Sequence, residues 1–135
     1  QLQRKYKKDS RIIWHGKVEP EQVFDEIKNL HVLVLPSICL EIFGLNISES
    51  LAMGKPVLAT RCGGAEMQIE DGVNGWLIEP NNVEALYTKM EEIISNKKRN
   101  YLMRSKQVVS IEKHCNTLLE LYLNEISNGW KSHYF

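Results

Sequence analysis

Residues 32–60 read VLVLPSICLEIFGLNISESLAMGKPVLAT, and this stretch decides the fold class. It joins an aliphatic run that ends at Pro36, a helical pattern from about Leu45 to Met53, and a strand pattern from Pro56 to Thr60. Gly54 stops the helical pattern. Consecutive aliphatic residues without alternation predict a strand that is buried on both faces, as in a parallel sheet. The stretch therefore predicts a βαβ unit.

The same alternation continues upstream of this unit and downstream of it. Upstream, residues 11–16 are predicted to form a strand that ends at Gly16, and a helical pattern follows from Pro20. Downstream, a turn-rich stretch from Cys62 to Asn74 precedes a strand pattern from Gly75 to Glu79. The sequence therefore predicts an α/β fold with an open, mostly parallel Rossmann-like sheet of about four strands and helices on both faces.

The C-terminal part of the sequence is predicted to be helical. Asn81 is expected to cap a helix that has Glu84 three residues further on, and apolar residues at helical spacing follow. Weaker helical patterns cover residues 101–110 and 116–126. The chain is interpreted as a single domain over residues 1–135, with its core at 12–95 and C-terminal helices at 97–126.

Composition excludes several classes of protein. A chain of 135 residues that is 43% hydrophobic and 25% charged is typical of one globular domain. Because 17 basic residues balance 17 acidic ones, no bulk charge favours nucleic acid, and no such partner is expected. The longest aliphatic run is far shorter than the roughly 20 residues of a membrane span. Three cysteines without CxxC spacing indicate reduced thiols and a cytoplasmic location.

The loop after residues 32–35 is the strongest candidate for a binding site, because ligands bind at the carboxyl ends of strands in such sheets. Gly44 lets a ligand approach the backbone, and the first amides of the following helix form an anion site suited to a diphosphate. Glu49 lies about 160° around that helix from Ile47 and Leu51, since each residue advances about 100°. If those two residues face the core, Glu49 can accept hydrogen bonds from ribose hydroxyls. A glutamate that is merely solvated is the alternative on spacing alone.

Residues 36–75, PSICLEIFGLNISESLAMGKPVLATRCGGAEMQIEDGVNG, resemble the donor-binding signature of retaining GT-B glycosyltransferases of group 1 (family 4). The hallmark of that family is two glutamates separated by seven residues, and Glu41 and Glu49 have this spacing. The resemblance runs from about Ile12 to Ser95. Further positions that match the family pattern are Phe43, Gly44, Leu45, Gly54, Pro56, Val57, Gly63, Gly64, Asp71, Gly72, Asn74 and Gly75.

The resemblance implies a role for each matched position. Glu41 corresponds to the family's catalytic-site glutamate, near the donor sugar and its phosphates, and Glu49 corresponds to the glutamate that holds the ribose. The amides around Gly44 and Leu45 correspond to those that cradle the distal phosphate. The complete set of donor-binding residues implied in this way is Glu49, Phe43, Gly44, Leu45, Gly16, Lys17, Val18, Gly63 and Gly64, of which Gly16 to Val18 border the nucleobase.

The sequence departs from the family pattern at three places. Ile42 stands where the family often has glycine, and Met67 stands where it usually has glutamate, with Glu66 one place early. Nothing in residues 1–10 matches the family's "GR...KG" phosphate-binding segment. The chain is therefore expected to be the distal part of a two-domain enzyme, cut within its second domain. Such a chain is expected to be inactive alone and to self-associate, through either a bare sheet edge or the C-terminal helices.

The function implied by the resemblance is transfer of a sugar from a nucleoside diphosphate sugar to an acceptor hydroxyl with retention. No metal and no other cofactor are expected. The acceptor would be a glycan or a lipid-linked molecule, bound by the missing N-terminal domain, in polysaccharide or glycoconjugate biosynthesis. The full-length enzyme is expected in the cytoplasm, peripheral at the inner face of a membrane. The alternative is a non-catalytic nucleotide-binding or interaction module of flavodoxin-like shape.

Overall fold

Helices alternate with strands along most of the chain. The computed structural model describes residues 2–96 and 110–127. Its elements are α1 (Leu2–Lys5), α2 (Pro20–Asn29), β1 (Leu33–Leu35), α3 (Leu45–Ala52), β2 (Val57–Thr60), α4 (Gly64–Gln68), β3 (Gly75–Ile78), α5 (Val83–Ser95) and α6 (Ile111–Ser127). Within these residues no helix combines the length and the apolar character that crossing a membrane would require.

The strands form one parallel sheet in the order β1-β2-β3. Leu33 of β1 pairs with Val57 of β2, which in turn pairs with Gly75 of β3. The connection from β1 to β2 contains α3, and the connection from β2 to β3 contains α4. The predicted α/β class with a parallel sheet is thereby confirmed, and the carboxyl ends of all three strands meet at one edge.

Helices cover both faces of the sheet, as predicted. The side chains of β2 alternate between the two faces, so each face offers apolar groups on which helices pack. Val57 and Ala59 pack on one face with residues of α3 and α4, whereas Leu58 packs on the other face against α5. All four residues of β2 are buried. The first cluster contains Ile47, Leu51, Val57, Ala59, Ala65 and Ile69. The second contains Leu58, Trp76 and Ile78, with Ala85, Leu86 and Ile93 of α5 packed against it.

The position of β1 corrects one prediction. Its aliphatic run was expected to be buried on both faces, but β1 is half-buried, and Val34 is 36% exposed. In the described sheet β1 is an edge strand that pairs with β2 alone, so it lacks a neighbour on its other side. The strand that is buried on both faces is β2.

The predicted strand at residues 11–16 is wrong, and the sheet of the described residues has three strands rather than about four. A turn at residues 10–11 precedes most of this stretch, and the Asp9 carboxylate accepts a hydrogen bond from the Arg11 backbone N–H there at 3.0 Å. Ile12 also donates its backbone N–H to the Asp9 carbonyl at 3.1 Å. The Arg11 guanidinium bonds the same carboxylate at 2.7 Å and lowers the pKa of Asp9. Ile13, an apolar residue of the predicted strand, is 76% exposed.

The start of α5 differs from its prediction by one residue. Asn81 was expected to cap this helix, but Asn82 does so, and its side-chain oxygen accepts the Ala85 backbone N–H at 2.9 Å. Asn81 instead has a φ of 58°, a left-handed conformation that places it in the preceding turn. Two further helices were not predicted, α1 and α4, and the second lies inside the turn-rich stretch. The helical pattern at 101–110 lies outside the described residues except for Ser110, which directly precedes α6.

We predict that Asn82→Ala lowers the free energy of unfolding by about 1 kcal/mol, because the first turn of α5 loses its side-chain acceptor. Asn82→Asp is the matched control: it keeps an acceptor oxygen at the cap and should retain most of the stability. Urea unfolding followed by circular dichroism measures both variants. An unchanged midpoint for Asn82→Ala would contradict this assignment of the cap.

Candidate functional site

Two loops cross at the carboxyl edge of the sheet, one after β1 and one after β2. The Glu41 backbone N–H donates to the Cys62 carbonyl at 3.2 Å, and the Gly64 N–H donates to the Glu41 carbonyl at 2.7 Å. Glu41 and Gly63 thereby form a parallel bridge beyond the strands themselves. The loop that contains the first of the paired glutamates is consequently attached to the glycine turn by main-chain hydrogen bonds.

Side chains from the end of β2 secure the beginning of the same loop. Thr60 donates its hydroxyl to the Ser37 carbonyl at 2.5 Å, and the Cys62 thiol lies 3.3 Å from that same oxygen. Both side chains are buried. The Cys62 thiol is thus a packing group at the edge of the sheet, in agreement with its interpretation as a reduced structural cysteine.

The two loops approach so closely that Gly63 and Gly64 have no room for side chains. A Cβ atom added to Gly64 would lie 2.6 Å from the Phe43 Cα atom, and one added to Gly63 would lie 2.6 Å from the Glu41 carbonyl oxygen. Backbone atoms at these positions cannot move aside as the end of a flexible side chain would. The glycine pair therefore sets the position of residues 41–43.

Helix α3 begins directly after this contact, at Leu45, and Gly44 is its N-terminal cap residue. Gly44 has a φ of 70° and provides no side-chain cap, and its carbonyl accepts the Ile47 backbone N–H at 3.0 Å. The amides of Leu45 and Asn46 precede the first intrahelical hydrogen bond, so they lack an acceptor within the helix. Together with the helix dipole, they give this end of α3 a partial positive charge. That this end of α3 binds an anion stays a prediction.

One of the paired glutamates precedes the start of α3 along the chain, and the other lies within the helix. One carboxylate oxygen of Glu41 lies 3.2 Å from the position that a Gly44 Cβ would take, so it flanks the N-terminal cap residue of the helix. Glu49 is half-buried and lies one turn after Leu45 on the same side of α3. Ile47 and Leu51 are buried in the core, which confirms the predicted orientation of the helix.

Gln68, at the end of α4, is a site residue that sequence reasoning missed. Its buried side-chain amide donates from Nε2 to the Phe43 carbonyl, with the carbonyls of Gly44 at 3.4 Å and Gly64 at 3.3 Å also in reach. Its Oε1 accepts the Ser48 hydroxyl at 2.5 Å. A glutamine within a turn-rich stretch carries no local signal, because these partners lie up to 25 residues away in the chain.

The matched residues 71–75, DGVNG, build the entry into β3. Asn74 is 2% exposed; its side chain accepts the Glu70 backbone N–H at 2.8 Å and donates to the Gln68 carbonyl at 3.1 Å. Asp71 accepts the Leu77 backbone N–H at 3.0 Å. These contacts give the motif a structural explanation, since its polar side chains bond the backbone of the turn, of the end of α4 and of β3.

Arg61 is a second residue that sequence reasoning missed. Its guanidinium lies 3.3 Å from a carboxylate oxygen of Glu79, 3.8 Å from one of Glu66 and 3.9 Å from one of Asp71. The three carboxylates belong to three different segments around β3, so Arg61 links these segments electrostatically. Its partners lie on the β3 side of the edge, away from the Ser37 carbonyl that Thr60 contacts.

The turn from Gly16 to Val18 leads into α2, a helix that contacts α3. Gly16 has a φ of 71°, and a Cβ added there would meet no atom within 4 Å. Lys17 pairs with Glu19 at 3.3 Å, a local contact between exposed side chains. The role of this turn beside a nucleobase stays a prediction.

Comparison with known proteins identifies relatives of this chain. A family model described as "Glycosyl transferases group 1" matches residues 1–108. Sucrose synthase from Acidithiobacillus caldus is 35% identical over 94 residues, which are 66% of this chain and 12% of that protein. The chain thus spans about an eighth of the length of the sucrose synthase that it matches.

Two solved structures show the likeness in three dimensions. A glycosyltransferase from Rickettsia africae has a TM-score of 0.78 at 26% identity, covering 95% of this chain and 35% of that one. HepE from Anabaena, solved in complex with UDP, has a TM-score of 0.67 at 25% identity, covering 73% of this chain and 29% of that one.

We predict that Gly64→Ala lowers the free energy of unfolding by about 2–3 kcal/mol, because the new methyl group would overlap the Phe43 backbone. Gly54→Ala is the control: Gly54 has a φ of 70° but open space around it, so only backbone strain of about 1 kcal/mol is expected. Urea unfolding measures both. An equal loss of unfolding free energy in the two variants would mean that the loop after β1 moves easily to accommodate the methyl group.

Proposed function

Because the chain belongs to the group 1 glycosyl transferases and has the fold of part of a GT-B glycosyltransferase, we propose that it binds the nucleoside diphosphate sugar from which a sugar is transferred. The observation that carries the proposal is the start of α3, where the first amides lack an acceptor within the helix. A carboxylate oxygen of Glu41 lies 3.2 Å from the position of a Gly44 Cβ, and Glu49 follows one helical turn after Leu45. Family membership favours a transferase over a non-catalytic nucleotide-binding module.

In this proposal the diphosphate occupies the N-terminal end of α3. The amides of Gly44 and Leu45 are the donors, and the helix dipole favours the negative charge. The Glu41 carboxylate lies next to Gly44, and it would repel a phosphate placed directly against it. Glu41 is therefore better suited to accept hydrogen bonds from hydroxyl groups of the sugar than to contact the phosphates.

Glu49 is proposed to hold the ribose. It lies one helical turn from Leu45, so a nucleotide whose phosphates rest on the first turn of α3 would bring its ribose near this carboxylate. Vicinal ribose hydroxyls are donors that match the two oxygens of a carboxylate. The relative HepE was solved in complex with UDP, which supports a nucleoside diphosphate as the ligand.

The reaction proposed for the whole enzyme is transfer of the sugar to an acceptor hydroxyl with retention at the anomeric carbon. The bond from that carbon to the diphosphate oxygen breaks, and the acceptor oxygen bonds to the face that the diphosphate leaves. The proton of the acceptor hydroxyl passes to the departing diphosphate. Amides at the start of α3 would stabilise the charge that develops on the leaving diphosphate, and no metal is proposed. Neither glutamate is proposed as a general base.

The acceptor and the location of the enzyme are also proposals. The related chains are much longer than this one: it covers 35% of the Rickettsia africae glycosyltransferase. We propose that other parts of the enzyme hold the acceptor, a glycan or a lipid-linked molecule, and that the enzyme works in the cytoplasm at the inner face of a membrane.

The proposal predicts that the chain binds UDP or GDP and binds free glucose hardly at all, because the helix start supplies donors for phosphate. Isothermal titration calorimetry with UDP, GDP and glucose tests this directly. Comparable affinity for glucose and for both diphosphates would contradict it.

Glu49→Ala should weaken diphosphate binding by about 1–3 kcal/mol, since a carboxylate that accepts ribose hydroxyls is lost. The matched control is Glu91→Ala, which removes an exposed glutamate from α5 on the far face of the sheet and should leave affinity unchanged. Calorimetric titration of both variants measures the difference. If both bind as tightly as the original chain, Glu49 is a solvated surface residue.

A further prediction separates Glu41 from Glu49. If Glu41 contacts the sugar, Glu41→Ala should lower affinity for a nucleotide sugar such as UDP-glucose more than affinity for UDP, by about 1 kcal/mol or more. Glu49→Ala should lower both affinities alike, because both ligands contain the ribose. Competition titrations with the two ligands give the ratio. An equal effect of Glu41→Ala on UDP and UDP-glucose would remove Glu41 from the sugar site.

A further inference from the structure

Gln68 connects the end of α4 to the backbone at the start of α3. Its side chain is buried, and the residue is 8% exposed. The partners establish how the amide is oriented: Nε2 faces the carbonyls of Phe43, Gly44 and Gly64, and Oε1 faces the Ser48 hydroxyl. The opposite orientation would aim an oxygen at three carbonyl oxygens, none of which can donate a hydrogen bond.

These contacts determine where two backbone amides point. In a trans peptide the C=O and the following N–H point in opposite directions across the same plane. The Phe43 carbonyl is directed at Gln68, so the Gly44 N–H points away from it. The Gly44 carbonyl is likewise directed inward, toward Gln68 and the Ile47 N–H, so the Leu45 N–H points outward.

We propose that Gln68 is a positioning residue for the diphosphate: by holding two carbonyls inward it aims the Gly44 and Leu45 amides at the phosphate. The inference rests on the proposed function, since it concerns the same anion site. Gln68 touches no ligand itself. Its effect reaches the ligand through the backbone, and a glycine at the start of α3 makes that backbone easy to misalign without support.

Position 68 is sensitive because the Gln68 amide is a donor to the Phe43 carbonyl. An apolar side chain of similar size at residue 68 would keep the packing of α4 but would leave the Phe43 carbonyl without this donor. The peptide between Phe43 and Gly44 could then rotate to find another partner, and the Gly44 amide would turn with it. Such a site stabilises a negative charge effectively because its amides are held in place before the ligand binds.

The test is Gln68→Leu, titrated with whichever of UDP and GDP the original chain binds more tightly, and with the matching monophosphate. We expect affinity for the diphosphate to fall at least about tenfold, the loss typical of a weakened hydrogen bond to a charged group. Affinity for the monophosphate should change less than about threefold, because the distal phosphate is absent from it. A purely structural role would lower both affinities by the same factor.

Two further variants control the experiment. Ser48→Ala removes the hydroxyl that orients the Gln68 oxygen, and it should lower the same diphosphate-to-monophosphate ratio by a smaller factor. It also carries the test if Gln68→Leu does not fold. Asn74→Ala removes another buried amide, one that bonds Glu70 and the Gln68 backbone, and should reduce stability without changing the ratio. The double variant of Ser48 and Gln68 should be no worse than Gln68→Leu.

The outcomes distinguish the two proposals. If the original chain binds neither UDP nor GDP, the proposed function is wrong and the role of Gln68 falls with it. If the original chain binds a diphosphate and the ratio is unchanged in both Gln68→Leu and Ser48→Ala, only the role of Gln68 is overturned.

Discussion

The contact between the glycine turn and the loop after β1 is the constraint on which the site depends. Gly63 and Gly64 bring the backbone of one loop against the backbone of the other at a distance that excludes a Cβ atom. Main-chain hydrogen bonds between Glu41 and the turn then hold the two together. Because α3 starts immediately after this contact, the same packing also determines where its first amides lie. A parallel sheet brings the carboxyl ends of its strands to one edge. The close approach of the two loops then determines the positions of the residues at that edge.

The site combines charges of both signs within a few residues. The start of α3 carries the partial positive charge of a helix N-terminus, and carboxylates lie beside it and one turn behind it. The amides would attract a bare anion, and the carboxylates would repel it. A nucleoside diphosphate sugar has phosphates that can accept hydrogen bonds from the amides and hydroxyls that can donate to the carboxylates. If the proposed function is correct, this arrangement favours a ligand that has both kinds of group.

The residues of the family motif divide into two groups by what they touch. Gly63, Gly64 and Asn74 contact the protein's own backbone, and each has a packing or hydrogen-bonding reason for its identity. Glu41 and Glu49 are partly exposed, and the function proposed for them is binding. Gln68 belongs to neither of these two groups. Its side-chain amide contacts the Phe43 and Gly44 carbonyls, and so it holds the backbone whose amides are proposed to bind the diphosphate.

The sequence alone determined the elements whose signals are local: the aliphatic runs of β1 and β2, the helical spacing of α3, the entry into β3, and the family through its ordered motif. It failed at residues 11–16, which form no strand in the described structure and follow a turn where the Asp9 carboxylate accepts the Arg11 backbone N–H. It also could not show that β1 is an edge strand in the described sheet, or that Gln68 lies under Phe43. Tertiary structure decided these points, because each depends on which distant segments of the chain come into contact. The periodicity of the sequence does not indicate which segments those are.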